Sequence, residues 1–134
     1  RTGHTAATYI ADFASLASVA ALADRLTRDL PALHVLINNA GAVYAKRTLT
    51  VDGHEATLAV NHLSHFLLTE QLRPLLTASA PARVITVASG RHFKGTLDFD
   101  DLGFERGYQI LRAYARSKLA NVLFASELAR RLDG

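Results

Sequence analysis

Apolar positions along this chain fall into alternating short runs and helical stripes. Thr8-Tyr9-Ile10-Ala11 is a short β-prone run ending at Asp12. Ser15 then reads as a helix N-cap, with Leu16, Val19, Leu22 and Leu26 at helical spacing behind it. Asp24 and Arg28 stand four apart as an available ion pair, and Pro31 closes the helix. Leu33 to Ile37 has strand length and is bounded by Asn38-Asn39-Ala40-Gly41. The next stripe, Leu58, Leu63, Phe66, Leu67 and Leu72, predicts a helix from about Asp52 to Leu72. Asp52 and Glu55 are spaced like its cap and third-position acid, with Pro74 at its end. Arg83 to Ala88 is a third strand. A polar, Gly-punctuated loop of some twenty residues leads to a long helix through Ile110, Leu111, Tyr114, Leu119, Val122, Leu123 and Leu128. The order β-α-β-α-β-α predicts an α/β domain with a parallel sheet.

Composition narrows the classes. The 134 residues suffice for one domain with a core. Net charge is +3, but the 15 Lys and Arg are scattered. The densest clusters, Arg91 to Lys94 and Arg130-Arg131, are too short for a nucleic-acid footprint. With no cysteine, neither disulfides nor thiolate metal sites are available, and the six histidines lack an HExxH-type spacing. No apolar run approaches ~18 residues, so no membrane span is expected. Arg1-Thr2-Gly3-His4 does not read as a signal peptide. A soluble, cytoplasmic domain without nucleic-acid partners is the expectation.

In parallel sheets, chemistry gathers at the carboxyl ends of the strands. Here those ends carry Asp12, Asn39-Ala40-Gly41 and Ser89. An acidic group can accept hydrogen bonds from a nucleotide, a glycine allows close backbone approach, and a serine offers a hydroxyl. Asn61 is a polar residue inside an apolar helix stripe. Tyr114 and Lys118 lie one turn apart on one helix face. A free tyrosine titrates near ~10, and an adjacent ammonium favours the phenolate, which is how a tyrosine is recruited as a general acid or base. Each of these residues alone also fits a bland role as a cap, a helix amide or a surface pair. Their joint placement points to a site.

Asp12, Leu36-Ile37-Asn38-Asn39-Ala40-Gly41, Asn61, Val87-Ala88-Ser89 and Tyr114-Ala115-Arg116-Ser117-Lys118 resemble the ordered motifs of the short-chain dehydrogenase/reductases. Val60 to Thr69, Ser117 to Phe124 and the loop around Asp98 to Leu102 are similar to the retinol-dehydrogenase branch. Ser64 stands where that branch usually has glycine, and Ala88 where it often has serine. The resemblance implies a Rossmann-like, doubly wound parallel sheet, of which residues 1–134 form the central part of a single NAD(P)-binding domain. It also implies hydride transfer between NADP or NAD and an alcohol, ketone or aldehyde, the substrate being a lipophilic small molecule. Tyr114 would be the proton donor or acceptor and Lys118 its modulator and ribose ligand. Ser89 would hold the substrate oxygen, and Asn61 would anchor a relay water. Asp12 would contact adenine, while Asn39, Ala40 and Gly41 would line the cofactor.

No Gly-rich phosphate turn precedes Asp12, and no lid follows the last helix. By the resemblance this is an internal piece of a longer, homo-oligomeric enzyme, inactive and weakly stable alone. In the strand order 3-2-1-4-5-6 the Thr8 strand would be third and the Leu33 strand fourth, leaving the former unpaired. Collapse of the two into a three-stranded sheet is the other outcome. A non-catalytic binding or scaffold protein is the competing function class; the complete set Asn61, Ser89, Tyr114 and Lys118 argues against it. The choice between NAD and NADP stays open.

Overall fold

The structure, a computed structural model, describes Gly3 and residues 6–132. Helix α1 spans Leu16–Asp29, and its first turn is closed twice. Ser15 Oγ accepts from the Ser18 amide, and the Asp52 carboxylate reaches across from a distant turn to accept from Leu16 N at 2.8 Å. Arg28 lies in the last turn, where a cation complements the helix dipole. The Asp24–Arg28 spacing does not become an ion pair among the described residues.

Strands β1 (Val35–Asn38) and β2 (Arg83–Thr86) pair in parallel, Val35 opposite Arg83 and Asn38 opposite Thr86. A β-α-β crossover through the second helical region joins them. Leu36 and Val84 face the helices and pack on Val19, Leu22, Ala23, Leu68, Leu72 and Leu76. Val19 and Leu72 are fully buried, each such side chain contributing about 1.5–3 kcal/mol. Alternation turns Val35, Ile37 and Ile85 to the other face, where they are exposed.

The Thr8–Ala11 strand is not formed. Its residues take no regular secondary structure and pair with no strand, and the sheet among the described residues has two strands, so the three-stranded alternative is not realised either. Side chains hold the segment to α1 instead. The Tyr9 hydroxyl donates to Asp29, Arg25 donates to the Ile10 carbonyl, and Asp12 N donates to Ser18 Oγ.

The helix expected from Asp52 to Leu72 begins later and is broken in character. Asp52 serves α1, as described, so it is not the cap. Glu55 is the cap, its two carboxylate oxygens accepting from Thr57 N and Leu58 N at 2.8 Å. One α-turn, α2 (Ala56–Leu58), passes into a π-helical turn, Ala59–Leu63, and then α3 (Ser64–Ala78). Pro74 lies inside α3, not at its end. Burial of Leu72 and Leu76 against α1 carries the helix past the proline. After β2, a 3-10 turn, Gly90–Lys94, opens the long loop to α4 (Ile110–Leu132). Among the described residues no helix is long and apolar enough to cross a membrane.

Candidate active site

The site grows from the N-terminal half of α4. Its buried stripe, Ala113, Ser117, Ala120, Asn121, Phe124 and Leu128, seats the helix against the π-helical turn and so fixes Tyr114 and Lys118 beside it. Lys118 is only 4% exposed, and its Nζ lies 5.7 Å from the centre of the half-buried Tyr114 ring. The ammonium donates to the Val87 carbonyl at 3.0 Å, leaving two of its three N–H groups for other partners. Val87 N in turn donates to the Asn38 carbonyl at 2.9 Å, joining the ends of β2 and β1.

Two residues further along β2's path, Ser89 caps the 3-10 turn by accepting from Arg91 N at 3.2 Å. Among the described residues its O–H has no acceptor and can still donate. Asn39, Ala40 and Gly41 are exposed at the carboxyl end of β1, while Asn38 turns inward to donate to Thr69 Oγ1.

Asn61, fully buried in the π-helical turn, braces these parts. Its amide exchanges hydrogen bonds with the Ala42 backbone, accepting at 2.7 Å and donating at 3.0 Å. It also donates to Ser117 Oγ at 3.1 Å, and Ser117 donates to the Tyr114 carbonyl at 2.8 Å. The Asn61 carbonyl accepts from Asn121 Nδ2 at 2.9 Å. A Cβ on Gly41 would sit 3.3 Å from Asn61 Oδ1, so this glycine makes room for the asparagine. π-turns of this kind recur at functional sites because they free main-chain groups from the regular ladder.

Two histidines back the site. Burial pulls His62 below its ordinary range, against a hydrogen bond to Asn121. His65, 1% exposed, is pulled down to about 4, first by burial and then by the Lys118 charge. Its ring packs edge-on to Phe13, centroids 5.8 Å apart.

The structure thus brings Asn61, Tyr114 and Lys118 into one cluster, with Ser89 and Asn39–Gly41 on the adjoining strand ends. Asp12 stands apart, its carboxylate accepting from Ala14 N at 2.8 Å at the start of α1. The sequence reading held Arg116 and Ser117 within the Tyr114–Lys118 motif and His65 and Asn121 within the Val60–Thr69 and Ser117–Phe124 runs without giving any of them a role, and it did not single out Gly95. For Arg116, its place on the Ala113–Ala120 stripe was the available signal. A groove of about 510 Å³ runs past Leu76, Pro81, Val84 and Leu128, toward the far end of α4 and away from Tyr114. Among the described residues no cluster of His, Asp and Glu could hold a metal.

Parallel strands joined through helices, with Tyr114 and Lys118 on a helix turn beside the end of β2, make this a partial α/β domain. The short chain dehydrogenase family profile matches residues 1–134, and the chain belongs to that family. It is 50% identical over 123 residues to retinol dehydrogenase 14 of Mus musculus, covering 92% of this chain and 37% of that protein. The chain therefore spans little more than a third of that relative's length. Among solved structures, an uncharacterized protein from Mycobacterium paratuberculosis is 45% identical with a TM-score of 0.82, covering 92% of this chain and 43% of that one. The Pseudomonas aeruginosa RhlG/NADP active-site complex is 33% identical with a TM-score of 0.70, covering 92% and 46%. These likenesses bear out the Rossmann-like α/β class and the retinol-dehydrogenase-like branch.

Proposed function

We propose that this chain carries the proton-transfer half of an NAD(P)-dependent oxidoreductase acting on an alcohol or carbonyl of a lipophilic small molecule. The observation that carries the reading is the buried Lys118, held by Val87 one helical turn from Tyr114 and alongside the Ser89 strand end. A buried ammonium is costly unless its N–H groups are hydrogen-bonded, and the Val87 carbonyl takes one of the three here, which leaves two suited to a ligand.

The residues present fit a dinucleotide. Asn39, Ala40 and Gly41 are exposed at the carboxyl end of a parallel strand, and Lys118 keeps N–H groups suited to ribose hydroxyls. When bound, nicotinamide supplies or takes the hydride. The chain's own groups do the rest. Ser89 donates to the substrate oxygen and fixes its distance from the Tyr114 hydroxyl. Tyr114 gives that oxygen its proton, or takes one in the reverse direction. Lys118 stabilises the phenolate that remains. The Asn61 backbone carbonyl, which accepts from Asn121, would anchor a water that links Lys118 to solvent. Exposed apolar side chains Phe93 and Phe99, on the loop between Ser89 and Tyr114, support a lipophilic substrate. Asp12, whose carboxylate accepts from Ala14 N apart from this cluster, is assigned to the adenine by the family resemblance alone.

The decisive experiment is turnover of the full-length protein with NADPH or NADH and a carbonyl panel, beside Tyr114→Phe. The variant should lose at least about 10²-fold in kcat while cofactor binding persists. Unchanged turnover in the Phe variant would refute this mechanism.

A further inference from the structure

Arg116 belongs to neither the proton path nor the cofactor edge, yet it is only 3% exposed. Its guanidinium donates from Nε to the Thr96 carbonyl at 2.9 Å and from Nη1 to the Asp101 and Leu102 carbonyls. It also lies 3.7 Å from the centre of the buried Phe104 ring, a stacked cation–π arrangement. One planar fork therefore gathers loop residues 96, 101, 102 and 104. Burial lowers its basicity, with the Asp98 and Asp101 charges opposing that effect.

The loop so gathered has a particular place. It leaves β2 at Ser89 and returns to α4 just before Tyr114, so its ends are the two groups assigned to the substrate oxygen. A free excursion of this length would let those ends drift. Three contacts prevent it. Lys118 holds Val87. Gly95 lies so close to α4 that a Cβ there would be 2.6 Å from the Ala115 carbonyl. Arg116, in the same helical turn as Tyr114 and Lys118, holds the remainder. On the far side, Arg47 donates to the Gly103 carbonyl at 2.8 Å and Tyr108 to the Tyr44 carbonyl at 2.7 Å.

We infer that Arg116 is a positioning residue, clamping the 96–104 loop onto the Tyr114 turn and thereby holding Ser89 in register with Tyr114. This rests on the oxidoreductase reading above. A lysine cannot substitute, because an ammonium lacks the planar fork that reaches three carbonyls and stacks on a ring.

The test uses Arg116→Ala and the milder Arg116→Lys in the full protein, with trypsin cleavage at the exposed Lys94 and Arg106 as one readout and kinetics as the other. Cleavage in the loop should rise about tenfold and kcat fall about tenfold or more, with cofactor affinity essentially kept. Methylguanidinium added to the Ala variant should restore both protection and turnover. Unchanged cleavage in both variants would overturn the clamp. Faster cleavage with unchanged kcat would overturn the positioning role and leave only a structural one. If the wild type turns over nothing while its loop protection still depends on Arg116, the oxidoreductase reading fails and the clamp stands.

Discussion

Lys118 Nζ donates to the Val87 carbonyl at 3.0 Å, and this bond ties the helical turn of Tyr114 to the strand end that leads to Ser89. A lysine is rarely this buried, and its placement is dictated by the ends of two elements meeting rather than by an opposing carboxylate.

Removing that ammonium should separate activity from stability. Lys118→Ala loses a charge-assisted hydrogen bond but also relieves a desolvated charge, two effects of opposite sign. Turnover should fall about 10²–10⁴-fold while the melting temperature moves by only a few degrees. Parallel kinetics and thermal melts check this, and a large drop in Tm with intact turnover would contradict it.

Asn61 should be the most stability-critical polar residue of the cluster. Asn61→Ala leaves the part-buried Ala42 N–H and carbonyl without their side-chain partner and removes a donor from Ser117 Oγ, which keeps its own bond to the Tyr114 carbonyl. The cost is about 2–4 kcal/mol by urea unfolding. Ser89→Ala, by contrast, loses one weak cap contact at a less buried position and should cost under about 1 kcal/mol while still reducing turnover.

Gly95 and Gly90 offer a paired control five residues apart. A Cβ at Gly95 meets the Ala115 carbonyl at 2.6 Å and Leu119 Cβ at 2.9 Å, whereas at Gly90 nothing lies within 4 Å. Gly95→Ala must push the 3-10 turn off α4 and should destabilise by about 1–3 kcal/mol. Gly90→Ala should be nearly neutral. Equal effects at both sites would mean that the close approach is absent.

His65 makes stability depend on mild acid. Unfolded, its imidazole titrates near about 6.5; folded, burial and then Lys118 lower it to about 4. Between those values the unfolded chain binds the extra proton. Stability is therefore whole above the unfolded value and is lost as pH falls toward the folded one, by about 3 kcal/mol in all. Urea unfolding at neutral pH and near pH ~4.5 should show the decline in the wild type and a shallower one in His65→Leu. Identical pH slopes would remove His65 as the cause.

What the sequence by itself determined is local. Helical periodicity placed α1 and α4, the short apolar runs placed β1 and β2, and the spacing of Tyr114 and Lys118 put them on one face. Ser15 was legible as a cap because its partner is three residues away. The rest depends on segments distant along the chain. Asp52 and Glu55 have the same capping chemistry, and only the approach of α1 decides that Asp52 serves Leu16 while Glu55 caps its own helix. Thr8 to Ala11 has strand-forming residues, but a strand exists only where a neighbour supplies the other half of its hydrogen bonds. The π-helical turn around Asn61, the Gly95 approach to Ala115 and the Arg116 clamp likewise arise where three segments meet. Periodicity describes which face of an element is apolar; it carries no record of what that face will touch, and the touching is what made the site.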